Sequence, residues 1–117
     1  VRAANAWPAD YFISIHANAN TDPVVNGTEV YVYRKYTQSY YLAQHILSAI
    51  VDVVGTRDNG VRVNPSLYVL RRTNMPAVLV ELAYVTNAGD AEKLETMQPE
   101  FARGIYEGLL SYFGLDQ

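Results

Sequence analysis

At 117 residues the chain makes one domain at most, long enough to bury a core. Half of its residues are hydrophobic and 18% are charged, a globular composition, and the net charge of -3 speaks against nucleic acid or an anionic membrane surface as partner. The absence of cysteine excludes disulfide scaffolds, thiol nucleophiles and thiolate metal sites, and no stretch approaches the roughly 20 apolar residues of a membrane-crossing helix.

The opening "VRAANAWPAD" has neither the basic nor the apolar region of a signal peptide and no initiator methionine, so the sequence reads as beginning inside a longer parent. Residues 1–9 form the tail of a helix broken by Pro8. Tyr11 to Ile15 is a short strand without clean alternation, as burial on both faces requires. Ala17 to Asn26 is a loop rich in Asn and Asp. From Gly27 to Tyr33 the residues alternate, with Thr28, Val30 and Val32 on one face and Glu29, Tyr31 and Tyr33 on the other. This predicts a strand with one wetter side near a sheet edge. Several of the ten tyrosines crowd into "VYVYRKYTQSYY", where a half-exposed strand and turn account for them more simply than a polar substrate does.

Thr37 is placed to cap a helix that runs to about Val54 and ends at Gly55. Leu42, Ile46, Ala49, Ile50 and Val53 recur at helical spacing as its buried stripe. Residues 56–66 read as loop and Leu67 to Leu70 as a short strand. Ala77 to Glu81 follows Pro76 as another buried strand. Asn87 caps a brief helix, with Asp90 in the position of a capping-box partner. Pro99 opens a last helix, whose Phe101, Ile105, Leu109 and Tyr112 face the core until Gly114 ends it. Strands alternating with helices predict an α/β layered domain around a largely parallel sheet.

Two polar residues terminate otherwise apolar strands: His16 after "FISI" and Glu81 after "AVLV". In a parallel sheet both strands end on the same edge, so the two side chains can converge. A carboxylate ending a buried strand is costly unless a partner satisfies it. That partner can be a metal ion or its bound water, with the imidazole as ligand and the carboxylate as base. It can equally be an arginine at the sheet edge, with His16 a core residue.

"ADYFISIHANA", "GTEVYVY" and "LYVLRRTNMPAVLVELAYVTNAGDAEKL" resemble the zinc-dependent N-acetylmuramoyl-L-alanine amidases of bacterial cell walls. The likeness runs in order from Arg2 nearly to the C-terminus. It implies an α/β domain with a mixed, mostly parallel twisted sheet flanked by helices. It also implies an activity: hydrolysis of the amide between N-acetylmuramic acid and L-alanine in peptidoglycan, in the cell wall or periplasm. By position, His16 matches a zinc ligand and Glu81 the catalytic carboxylate. Asn18 matches an asparagine beside the site, and Arg71 falls where the family often has a basic residue; both are candidates for substrate binding. Loop capping for Asn18 and a solvated charge for Arg71 are the plainer alternatives.

The family's other two zinc ligands, a histidine in a D-P-G-H-G-G turn and a helical glutamate, have no counterpart here. By the resemblance the chain is the C-terminal part of the catalytic domain, lacking the N-terminal strand and helix. The strand before His16 is then expected to show an unpaired edge or exposed apolar surface. His45 falls at the margin of its helix's buried stripe and reads as a boundary residue, and Asp22 as a turn aspartate. The alternatives to an amidase are an inactive peptidoglycan-binding or regulatory homologue and a zinc peptidase cutting within the stem peptide.

Overall fold

The computed structural model describes residues 1–115. A single turn of helix, α1 (Arg2–Ala6), precedes β1 (Phe12–Asn18), β2 (Thr28–Val32) and the long α2 (Gln38–Val54). β3 (Asp58–Val63), the short α3 (Tyr68–Arg71), β4 (Ala77–Tyr84), α4 (Ala88–Thr96) and α5 (Gln98–Tyr112) complete the order. The four strands form one sheet in the order β1-β4-β2-β3. β1 runs parallel to β4 and β2 parallel to β3, while β2 and β4 are antiparallel. The mixed, mostly parallel sheet is the expected one.

Side-chain alternation sorts the sheet into two faces. Val30, Val32, Val78 and Val80 are fully buried against Leu42, Ile46 and Ile50 of α2. α5 packs behind α2 through Phe101 and through two glycines. A Cβ on Gly104 would come within 2.9 Å of Ile50 Cα, and one on Gly108 within 2.6 Å of Ile46 Cα, so the two helix backbones touch where no side chain fits. The buried stripe of α2 takes in Ala43, Leu47 and Val54, and leaves Ala49 and Val53 half-buried. On the other face Ala77 and Leu79 meet Leu70 of α3, with Phe12 and Tyr31 beside them. α3 covers only part of this face.

Thr37 caps α2 as expected, its Oγ1 accepting from the Tyr40 N–H at 3.3 Å, and Gly55 ends the helix in the left-handed conformation at φ 81°. Asn87 caps α4 by accepting from the Asp90 N–H at 3.0 Å. Asp90 does not return the bond as a capping box would. Its buried Oδ2 accepts from the Gly27 N–H at 2.8 Å and the Tyr84 N–H at 2.9 Å, tying the entry of β2 to the exit of β4.

Four local expectations need correction. Residues 58–63 form a strand, not part of a loop; Asp58-Asn59-Gly60 disfavours β structure, and only Val61 to Val63 carries the alternation. Tyr68–Arg71 is helical, not a strand, because four residues hold too little periodicity to separate the two and burial of Leu70 decides. β2 lies inside the sheet rather than near its edge. Finally, β1 and β4 continue past His16 and Glu81, so neither residue ends its strand. β1 itself is an edge strand and its Ile15 is 52% exposed, in line with the expected open edge and against the burial on both faces expected for Tyr11 to Ile15, because only β4 flanks it.

Candidate active site

His16 and Glu81 meet through lateral register. They are direct partners across the parallel β1–β4 pair, and Glu29 is the direct partner of Glu81 across the antiparallel β2–β4 pair. An imidazole and two carboxylates therefore stand in one row across three strands, about 5 Å apart from strand to strand. The row lies on the face that α3 leaves partly open. Ser14, two residues before His16 on the same face, shares a 2.6 Å hydrogen bond with His16 Nε2.

Two bulges complete the row. Between His16 and Asn18 the partner strand advances from Glu81 to Tyr84, so β4 carries one extra residue there. The kink puts Ala83 in the apolar core and swings Tyr84 over to Glu29. Between Thr28 and Val30 the partner strand advances from Asp58 to Val61, an extra residue in β3, where Gly60 takes φ +86°. That bulge delivers Asn59 and Arg62 to the same carboxylate.

The two carboxylates have opposite surroundings. Glu29 is fully buried and accepts two hydrogen bonds on each oxygen. Tyr84 Oη (2.8 Å) and Asn59 Nδ2 (3.2 Å) donate to Oε1, and Tyr31 Oη (2.6 Å) and Arg62 Nη1 (3.1 Å) to Oε2. This uses the capacity of a carboxylate. Glu81 Oε2 is buried with no donor at all. Burial raises the Glu81 pKa, Glu29 adds to the rise, and His16 opposes it. Burial and the bond to Glu29 hold the Tyr84 hydroxyl up to about 12, and the same two causes raise Tyr31. Burial works against the Arg62 charge, but the Glu29 carboxylate together with Tyr31 and Tyr84 outweighs it and raises the pKa. Glu29 is thus an anchor, and Glu81 is left free for chemistry.

Of the other residues singled out in the sequence, Asn18 sits at the end of β1, where its Oδ1 accepts from the Ala19 N–H at 2.9 Å. Arg71 is exposed on α3 and lines a separate cleft with Tyr33, Arg34, Thr37 and Thr73. That cleft lies at the start of β4, about 13 Å along the strand from Glu81, so Arg71 does not join the row. His45 bonds Ser111 Oγ at 2.8 Å between α2 and α5, on the far side of the sheet. Asp22 Oδ1 accepts from the Val24 N–H in a turn. Both match the plainer reading given to them. Glu29, Asn59, Arg62 and Tyr84 are site residues that pattern reasoning passed over. The available signal was an acidic residue within "TEVYV", which was assigned to a wet face and is dry.

Residues 1–111 match the model of the family described as N-acetylmuramoyl-L-alanine amidase. The chain belongs to this family. It is 42% identical to the N-acetylmuramoyl-L-alanine amidase LytC of Bacillus subtilis, over 97% of this chain and 23% of LytC. It is 41% identical to the amidase CwlM of Bacillus licheniformis, over 98% of this chain and 45% of CwlM. Among solved structures, an N-acetylmuramoyl-L-alanine amidase from Clostridium difficile 630 superposes with a TM-score of 0.89 at 38% identity, covering 99% of this chain and 64% of that one. The catalytic domain of CwlV from Bacillus (Paenibacillus) polymyxa gives 0.87 at 35% identity, with the same coverage. The chain therefore spans from about a quarter to just under two thirds of the amidases it resembles here.

Relatives of this family imply a zinc ion, and the residues present can be tested against one. A buried acceptor oxygen without a donor, next to an imidazole on the neighbouring strand, fits a site where a cation and its water complete the bonding. Among the described residues no group of three His, Cys, Asp or Glu could hold the ion.

Proposed function

We propose that this chain carries the catalytic glutamate and one zinc ligand of an N-acetylmuramoyl-L-alanine amidase acting on the muramyl peptides of peptidoglycan in the cell wall or periplasm. The observation that carries the reading is the cross-strand pair His16–Glu81, with one Glu81 oxygen buried and unpartnered. Zinc, when bound, supplies a Lewis acid for the scissile carbonyl and lowers the pKa of water. His16 would hold it through a ring nitrogen, with the Ser14 hydroxyl free to rotate aside or bond the other nitrogen.

Glu81 takes a proton from the attacking water as the C–O bond forms at the lactyl carbonyl. It then gives that proton to the nitrogen of L-alanine as the C–N bond breaks. A carboxyl whose pKa is raised by burial suits both halves of this exchange, since a proton shuttle works best with a pKa near the operating pH. Asn18, at the end of the strand that carries His16, borders the site. No helix among the described residues is long and apolar enough to cross a membrane.

The test is the pair Glu81→Gln and His16→Ala in the intact protein. Glu81→Gln should cut release of L-alanine-terminated peptides by about a hundredfold or more while zinc content stays at the wild-type level; His16→Ala should lose zinc. Cleavage by Glu81→Gln at the wild-type rate, or products cut within the stem peptide, would overturn the reading.

A further inference from the structure

Glu29 has no lone pair to spare for substrate, yet four donors from three strands are gathered on it beside Glu81. Three of those donors have nothing left to give: two tyrosine hydroxyls, and the Asn59 amide, whose Nδ2 also donates to the Asn26 carbonyl at 2.8 Å. The fourth does not. Of the five N–H groups of the Arg62 guanidinium, one goes to Glu29 Oε2 at 3.1 Å and Nε donates to the Asn59 carbonyl at 3.3 Å. The rest are uncommitted on a side chain that is 47% exposed. Arg62 is the register partner of Tyr31, itself opposite Leu79, which places it on the open face of the sheet one row, two residues along the strands, from His16, Glu81 and Glu29.

A long cation normally loses rotamer entropy when it grips a ligand. Here the β3 bulge and a saturated carboxylate have already fixed it. A guanidinium held on one side with its outer edge free has the fork geometry that takes a carboxylate bidentately. The α-carbons of Arg62 and Glu81 are two strands and two residues apart, about 12 Å, and the side chain leans back toward Glu81 through Glu29. An extended peptide advances about 3.5 Å per residue. Arg62 therefore reaches the second residue beyond the scissile amide.

We propose that Arg62 is a specificity residue that binds a free carboxylate on the second residue of the stem peptide, and that Glu29 is the positioning residue that aims it. The proposal rests on the amidase reading for its substrate. It makes the row a groove with the cut at the β1–β4 end and a charge-reading station at the β2–β3 end.

The experiment compares muramyl-L-alanyl peptides that differ only in whether the second residue carries a free or an amidated carboxyl, using the intact zinc-loaded enzyme. The wild type should show a KM about tenfold lower on the free acid, with kcat within about twofold. Arg62→Ala should bring the two substrates to the same KM by weakening the acid alone, and Arg62→Lys should keep part of the preference. Glu29→Gln, with the arginine still present but released, should lose most of it, which a merely structural loss affecting both substrates alike would not do. Calorimetric binding of both peptides to Glu81→Gln, with and without Arg62→Ala, reads the same preference without turnover. If binding shows the charge preference and the wild-type enzyme cleaves neither peptide, the amidase reading fails and the subsite stands. A wild type indifferent to the carboxyl, or an Arg62→Ala variant as selective as the wild type, would overturn the proposal.

Discussion

On the face of the sheet turned to α2, Val30, Val32, Val78 and Val80 are sealed against Leu42, Ile46 and Ile50. On the face turned to α3, an imidazole, two carboxylates and a guanidinium come one from each of the four strands. The β4 and β2 residues of these two sets alternate along the same strands, so a one-residue slip of β4 would exchange Glu81 with an aliphatic neighbour. The apolar face supplies the stability that fixes register, and the polar face uses that register to align side chains distant in sequence. The difference also locates the structural irregularities: both bulges serve the polar face by re-aiming Tyr84 and Asn59 toward Glu29.

Substitutions on either side can separate these roles. Glu81→Gln should reduce turnover most, by about a hundredfold to ten-thousandfold, measured by release of new amino termini from muramyl peptides. The same change should raise the melting temperature of the metal-free protein. Glu81 has a raised pKa, so the fold is favoured while this group is protonated and loses that advantage as pH rises through the carboxyl range; glutamine keeps the neutral form at every pH. Ile46→Ala, on the sealed face, should cost about 2–5 kcal/mol in urea unfolding and leave KM unchanged at a temperature where the variant stays folded. A change in KM there would show that the two faces are not independent.

Smaller effects sharpen the comparison. Tyr84→Phe removes one of four donors to a buried carboxylate and should cost about 1–3 kcal/mol near neutral pH. Its pH dependence has a definite sign. The folded pKa of about 12 lies above the ordinary 10.0, so the Tyr84 contribution is complete below pH 10 and lost as pH climbs toward 12. The variant should show a shallower alkaline loss of stability than the wild type, with the part due to Tyr112, also raised to about 12, remaining. Thr37→Ala should have the least effect, about 1 kcal/mol by thermal melts, through loss of the α2 cap.

Much of this was legible from residue pattern. Thr37, Gly55 and the spacing of Leu42, Ile46 and Ile50 announced α2, and the runs before His16 and Glu81 announced two strands. The pair proposed to carry the chemistry was visible because each residue interrupts an apolar run. Pattern could not show that they meet in mid-strand, since that depends on pairing partners rather than on either strand alone. Glu29 was seen but read as wet, because alternation reports which face a residue takes and not what covers it. Arg62 and Asn59 were hidden in a segment whose Asp-Asn-Gly start looks like a turn, and only its pairing with β2 makes it a strand.

The glycines of α5 carry a consequence for how the molecule assembles. Gly104 and Gly108 are one turn apart and let α5 lie directly on the α2 backbone at Ile50 and Ile46. Each weakens the isolated helix by about 1 kcal/mol relative to alanine. A segment so handicapped has little reason to coil by itself, and its order is borrowed from the surface it lands on. Amide exchange along residues 98–112 would then report the docking equilibrium as one cooperative event, with a common opening energy rather than fraying that grades in from the ends.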